Sequence, residues 1–154
     1  MEKKTITSLD NLIPVFCERL TAGQAVRFSP QGTSMLPFLR ENKDTVTIKK
    51  ITEAPKKYDV VLYKRTNGKF VLHRIVDVKD TYVLMGDNHF VKEFGIEPSQ
   101  VIAVMTSFER KGRSYSVNNF WYKIYCRVWY HSRYVRHFTK RGFNWIRRRL
   151  GGLK

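Results

Sequence analysis

Cysteine is scarce in this chain of 154 residues. Cys17 and Cys126 lie far apart and in no CxxC arrangement, so neither a disulfide framework nor a zinc site is indicated, and both read as small core or interface residues. Long apolar runs are missing as well. No stretch approaches the roughly 20 residues that a spanning helix requires. The opening "MEKKTITSLDNLIPVFCERL" has too many polar breaks for a secretory signal, and the chain is therefore expected to stay inside the cell. No internal repeat or low-complexity run is present. Acidic residues are depleted from the last third: residues 109–154 hold 13 Lys or Arg and one acid, a net of +12 out of +16 for the whole chain. Such a segment concentrates anionic partners, nucleic acid or acidic lipid, and by itself says nothing about fold or chemistry.

What is present is enough for one domain that buries a core without covalent staples. Leu9, Leu12, Ile13, Phe16, Cys17 and Leu20 have the three-and-four spacing of an amphipathic helix over about 8–22, with Ser8 as its cap and Gly23 as its stop. Pro14 inside that pattern predicts an early kink or a later start. After Gly23 the runs shorten and become rich in Val, Ile, Tyr and Thr: "AVRFSP", "TVTIKKI", "YDVVLYK", "FVLHRIVDV", "TYVLMGD", "VIAVMTSFER" and "SYSV". "TNGK", "KDT" and "KGR" read as hairpin turns between them. The expectation is a mainly β, antiparallel domain with a leading helix over residues 1–117. From Asn119 aromatics are mixed with arginines, which predicts a basic amphipathic tail over 118–154, two helices meeting at Gly142. Trp121, Tyr125, Val128, Ser132, Val135 and Phe138 approximate one stripe of it.

The stretch "QGTSMLPFL", residues 31–39, stands where the helical pattern gives way to strands. A serine hydroxyl becomes a useful nucleophile when a base accepts its proton and donors held in place meet the developing oxyanion. Gly32 and Thr33 upstream of Ser34 allow the sharp turn that presents amide groups. Met35 and Leu36 can plug into the core behind it, and Pro37 can begin a short helix. The plain alternative is an ordinary Gly-Thr-Ser turn.

Further along, "VLHRIVDV" carries His73 in an apolar strand and "YVLMGDNHF" ends a strand at Asp87. A lone strand histidine is usually a satisfied core residue. A histidine whose ring is fixed by a carboxylate can accept and return a proton near neutral pH. Equal counting from the "KDT" turn brings position 73 opposite or close to position 87, within reach across adjacent strands.

"GTSMLPFL", "YDVVLYK", "LHRIV" and "GDN" occur in the order and at roughly the spacing of the signal peptidase I and LexA-type serine peptidases, and the pattern covers about residues 24–106. The chain resembles most the endoplasmic-reticulum-like branch, in which histidine stands where most bacterial members have lysine, and looks like a small bacterial homologue. The resemblance implies Ser34 as nucleophile, His73 as general base, Asp87 as orienting acid and the Ser34 amide as an oxyanion donor. It implies peptide-bond hydrolysis through an acyl-enzyme, with no cofactor and no metal, on a peptide or protein substrate laid along a strand edge.

The sequence departs from the family pattern at several points. "GDNHFVKEF" offers Glu93 near a position where the His-type family often has a second aspartate, so Glu93 can share or replace the role of Asp87. His89 stands in place of an asparagine, as a competing base or a surface turn residue. Tyr58 and Asp59 replace a Gly-Asp pair, which predicts an altered turn, with Asp59 structural. No N-terminal anchor is seen. Residues 119–150 are expected to supply a peripheral attachment to an anionic membrane at its inner face, or to pack on the domain; nucleic acid ranks below both. The functional expectation is a serine endopeptidase cleaving a leader or signal-like peptide. The alternative is a noncatalytic or regulatory module binding membrane or nucleic acid through the tail.

Overall fold

The computed structural model describes residues 9–136. Helix α1, Leu9–Thr21, runs continuously through Pro14, so the later start is not seen; Ser8 lies outside the described residues. Ile13, Phe16 and Leu20 bury its apolar face, and the chain turns away at Gly23.

Eight strands follow: β1 Val26–Phe28, β2 Thr45–Lys50, β3 Val60–Lys64, β4 Phe70–Val78, β5 Tyr82–Met85, β6 Glu93–Ile96, β7 Val101–Arg110 and β8 Arg113–Ser116. They form one antiparallel sheet in the order β1-β2-β7-β3-β4-β5-β6, with β8 added to β7. The mainly β architecture with a leading helix is as expected. The three predicted turns join β3 to β4, β4 to β5 and β7 to β8. Strand β6 was not anticipated. It has only four residues, contains Gly95 and exposes Phe94, so it carries no alternating signal.

Strand β3 lies between β4 and β7, and its alternating side chains enter two different apolar clusters. Val60 and Leu62 join a core with α1, β1 and β2, while Val61 and Tyr63 join one with Ile75, Leu84 and Ile96. The β4–β5 ladder pairs Val78 with Tyr82 and Asp77 with Val83, then shifts, so that Ile75 meets Leu84 and Arg74 meets Met85. A bulge adds one residue to one strand and moves everything beyond it by one position. Past this one, Gly86 comes beside His73, where equal counting had put Asp87.

Helix α2, Phe120–His131, is capped by Asn119, whose side chain accepts from the Tyr122 amide at 3.2 Å. Tyr122, Cys126 and Tyr130, four residues apart, form its buried side, and Tyr122 and Cys126 belong to the main core. The described part of the basic tail is therefore packed on the β domain and is continuous with its core. The expected helix junction at Gly142, and Phe138 of the predicted stripe, lie outside the described residues. Tyr58 shows why the helix docks here. Its backbone has φ 80°, a left-handed conformation uncommon for a bulky residue, and its ring lies 5.9 Å from that of Tyr130 with the Arg127 guanidinium 5.7 Å away. The turn at Tyr58–Asp59 is thus left-handed without a glycine, and Asp59 is structural, its carboxylate accepting from the Lys56 amide at 2.8 Å.

Candidate active site

The Ser34 segment is a chain of turns anchored from behind. Met35, Phe38 and Leu39 are buried, whereas Leu36 is only partly covered, so the plug is formed by three residues spaced differently from the expected pair. In place of the helix expected after Pro37 there are separate turns, among them Leu39 N–H to the Met35 carbonyl at 2.9 Å and Asp44 N–H to the Arg40 carbonyl at 3.1 Å. Gly32 takes φ 79°, which a residue with a Cβ adopts only under strain, and this lets the chain double back just before Thr33 and Ser34. At the far end of the segment, buried Asp44 accepts from the Arg40 amide at 2.8 Å and pairs with its guanidinium at 2.7 Å. Burial opposes the Asp44 charge, but the Arg40 hydrogen bonds prevail and hold its pKa below the usual carboxylate value.

His73 sits on β4 opposite Val61 and is only 1% exposed. Its Nδ1 lies 3.0 Å from Glu93 Oε1 and 3.3 Å from the Tyr63 hydroxyl. Tyr63 donates to Glu93 Oε2 at 2.7 Å, and the Arg65 guanidinium grips the same carboxylate with Nε 2.8 Å from Oε2. Burial works against the charge on Glu93, yet the hydrogen bonds from Arg65 and Tyr63 outweigh it and keep its pKa below normal. Burial also dominates at His73, where it pushes the pKa down to about 4, only partly offset by Glu93. The ring is therefore neutral at physiological pH. With an ionised acceptor at Nδ1, the proton belongs on Nδ1, which leaves the Nε2 lone pair free to act as a base.

Nε2 faces the Ser34 segment across Gly86. A Cβ at Gly86 would lie 2.7 Å from the Ser34 carbonyl oxygen, 3.0 Å from His73 Nε2 and 3.2 Å from His89 Nδ1, so these groups converge on a spot that only a glycine leaves open. The next turn clasps the same segment: the Asn88 amide donates to Ser34 O at 2.8 Å and its side chain donates to Thr33 O at 3.2 Å. Among the described residues the Ser34 hydroxyl makes no hydrogen bond to the imidazole. What lies near the imidazole across Gly86 is the Ser34 backbone carbonyl; catalytic contacts often close only in the substrate complex. His89 is exposed, its ring edge-on to His73 at 5.7 Å.

Asp87 is elsewhere engaged. Its two oxygens take a fork from Arg74, at 2.8 and 2.7 Å, with both residues buried. The remaining Arg74 nitrogen donates to Tyr58 O at 2.9 Å, the Tyr122 hydroxyl at 3.0 Å and Cys126 Sγ at 3.0 Å. The Asp87 carbonyl accepts from the Trp129 indole at 2.9 Å. The expectation that Asp87 orients the histidine is thus corrected: the carboxylate at Nδ1 is Glu93, and Asp87 ties β4 and the "GDN" turn to α2. The one-residue register shift in β4 is the physical reason. Tyr63, Arg65 and Arg74 were not singled out from sequence. Tyr63 and Arg65 alternate with the outward Lys64 in "YKR", a pattern that placed two polar groups on the His73 side, but only the sheet order reveals it.

Beside Ser34 lies a cavity of about 180 Å³ lined by Phe28, Pro30, Met35 and the β4 residues Phe70, Val71 and Leu72. Among the described residues, no group of three His, Cys, Asp or Glu side chains could hold a metal ion, and no helix is long and apolar enough to cross a membrane. Compared with protein-family models, curated proteins and solved structures, the chain gives no significant match.

Proposed function

We propose that this protein is a serine endopeptidase similar to signal peptidase I, acting on a leader or signal-like peptide. The observation that carries the proposal is the convergence of His73 Nε2 and the Ser34 segment on Gly86, with Nδ1 backed by Glu93. Ser34 Oγ attacks the peptide carbonyl carbon while its proton passes to Nε2. The oxyanion is met by the Ser34 amide, in the turn that Gly32 and Thr33 shape. Collapse breaks the C–N bond, and the leaving amine takes the proton from Nε2, leaving an ester on Ser34. Water, deprotonated by the same nitrogen, then hydrolyses the ester. Glu93, held by Arg65 and Tyr63, fixes the ring and stabilises the imidazolium. The small apolar cavity beside Ser34 suits a compact side chain next to the scissile bond. The same reading puts the enzyme at the inner face of the cell membrane as a peripheral protein, on account of the aromatic and cationic surface of α2.

A second reading, a noncatalytic module that keeps the fold, draws on the near-complete burial of His73 and on its lack of a hydrogen bond to the Ser34 hydroxyl. Cleavage of a library of leader-like peptides decides between them. The enzyme reading expects turnover by the wild type and at least a thousandfold loss in Ser34→Ala and His73→Ala, in line with removal of a triad member. Equal cleavage by all three proteins, or none by any, favours the noncatalytic module.

A further inference from the structure

The β7–β8 hairpin and α2 enclose a cleft of about 660 Å³, within the range of small-ligand sites. Its walls are aromatic, Phe38, Phe108, Tyr115 and Tyr125 with Trp121 among them, and Arg110, Lys111 and Arg113 stand around it. Among the described residues, no carboxylate lines it. Arg110 is held in place by a 3.1 Å hydrogen bond to the Phe38 carbonyl. Among the described residues, Lys111 and Arg113 enter no ion pair. An occupant that satisfies this lining is anionic at one end and apolar at the other.

The surface around the cleft narrows the class. Trp121 is 73% exposed, and Phe120 and Val128 are also exposed, along the side of α2 opposite Tyr122, Cys126 and Tyr130; Val135, past the end of α2, is exposed as well. A small soluble anion would use the cations and leave this strip in water. A nucleic acid would use the cations and rings but has nothing to offer Val128 and Val135. A bilayer interface meets all of them: phosphates at the cations, rings at headgroup depth, aliphatic side chains against acyl chains. We propose that this cleft binds the headgroup of an anionic phospholipid and seats α2 in the membrane interface.

The test is co-sedimentation of the full chain with vesicles of phosphatidylcholine, alone or mixed with phosphatidylglycerol. One variant is Lys111→Glu with Arg113→Glu, and another is Trp121→Ala. Lys49→Glu with Lys50→Glu makes the same charge change on β2, at the other end of the β7 pairing. Circular dichroism checks that each variant folds. The proposal expects strong preference for the phosphatidylglycerol vesicles, a loss of roughly tenfold or more in partitioning for both cleft variants, and little change for the β2 pair. Equal losses in the cleft and β2 charge variants would reduce the effect to bulk charge and overturn it. So would displacement by inorganic phosphate at matched ionic strength, or tighter binding of a single-stranded oligonucleotide than of the vesicles. The readout needs no chemical step, so it stands or falls separately from peptidase activity.

Discussion

Glu93 Oε1 lies 3.0 Å from Nδ1 of His73, on the side of the ring opposite the nitrogen that faces Ser34. This relationship puts the proton of a buried, neutral strand histidine on one nitrogen and turns the other, with its lone pair, toward Gly86 and the Ser34 carbonyl, the arrangement the proposed mechanism needs.

The two candidate carboxylates, Glu93 at the ring and Asp87 on Arg74, are therefore expected to fail in different ways. Glu93→Gln removes the charge that fixes the tautomer and should lower the cleavage rate by a factor of about 10² to 10⁴ while the protein remains folded. Asp87→Asn leaves Arg74 charged and buried without its partner, and should cost about 3–5 kcal/mol of stability. Urea unfolding beside peptide-cleavage kinetics separates them. A stable Asp87→Asn protein that has lost activity, with an active Glu93→Gln, would reverse the two roles.

The depressed pKa of His73 sets a pH dependence. Because the folded value is about 4 and the unfolded value about 6.5, the unfolded chain binds more protons between them. The contribution of a neutral, buried ring is complete above about pH 6.5 and is lost as the pH falls toward 4, by at most about 3 kcal/mol. The stability difference between wild type and His73→Ala should shrink across that window. Nitrogen chemical shifts of His73 should still report a neutral ring with the proton on Nδ1 at pH 6. A ring that titrates near 6.5 contradicts the burial argument.

Gly86 is the narrowest point of the site. In Gly86→Ala the new methyl meets the Ser34 carbonyl at 2.7 Å, and because that atom is backbone, the turn itself must move. A loss of about 1–3 kcal/mol is expected from overpacking, with a larger loss of turnover as Ser34 is displaced from the imidazole. Wild-type stability and kinetics in this variant would mean that the serine turn and the "GDN" turn are not in register as described.

Much of this arrangement was legible in the residues, and the exceptions share one cause. Short β-branched runs and Gly-containing turns are local signals, so seven of the strands and all three hairpin turns could be read directly. Ser34 and His73 were singled out by residue type and setting, and the Ser34 carbonyl and His73 Nε2 both lie against Gly86. Of the two carboxylates the sequence offered, Asp87 ranked ahead of Glu93 because a bulge has no sequence signature here: nothing in "HRIVDV" announces that β4 gains a residue against β5. Arg65 and Tyr63 reach Glu93 from β3 and the turn beyond it, and β6 lies next to β5 and not to β3 in the sheet order. That juxtaposition depends on how the sheet curves, which periodicity does not encode. The role of α2 was hidden for the opposite reason. Its aromatics point to both sides of the helix, so the stripe drawn through Trp121, Tyr125 and Val128 mixed exposed with half-covered positions.

The buried side of α2 gives the last prediction. Tyr122 accepts from Arg74 at 3.0 Å, and its ring packs 5.2 Å from Phe108 and 5.4 Å from Phe38, so it joins the ion pair behind the "GDN" turn to the main core. Tyr122→Phe keeps the packing and removes one acceptor from a buried guanidinium, a loss of about 1–3 kcal/mol. Tyr122→Ala removes the ring as well, and about 3–5 kcal/mol is expected. A chain ending at Ser116 loses Tyr122 and Cys126 together, leaving Arg74 with Asp87 and the Tyr58 carbonyl alone; it should melt well below the full chain and lose the fixed "GDN" turn that holds Ser34 O. Thermal unfolding of the three proteins orders them as Phe above Ala above the truncation. Equal melting temperatures for the full and truncated chains would show that α2 is an appendage, and that the Arg74–Asp87 pair is sustained by the β domain without it.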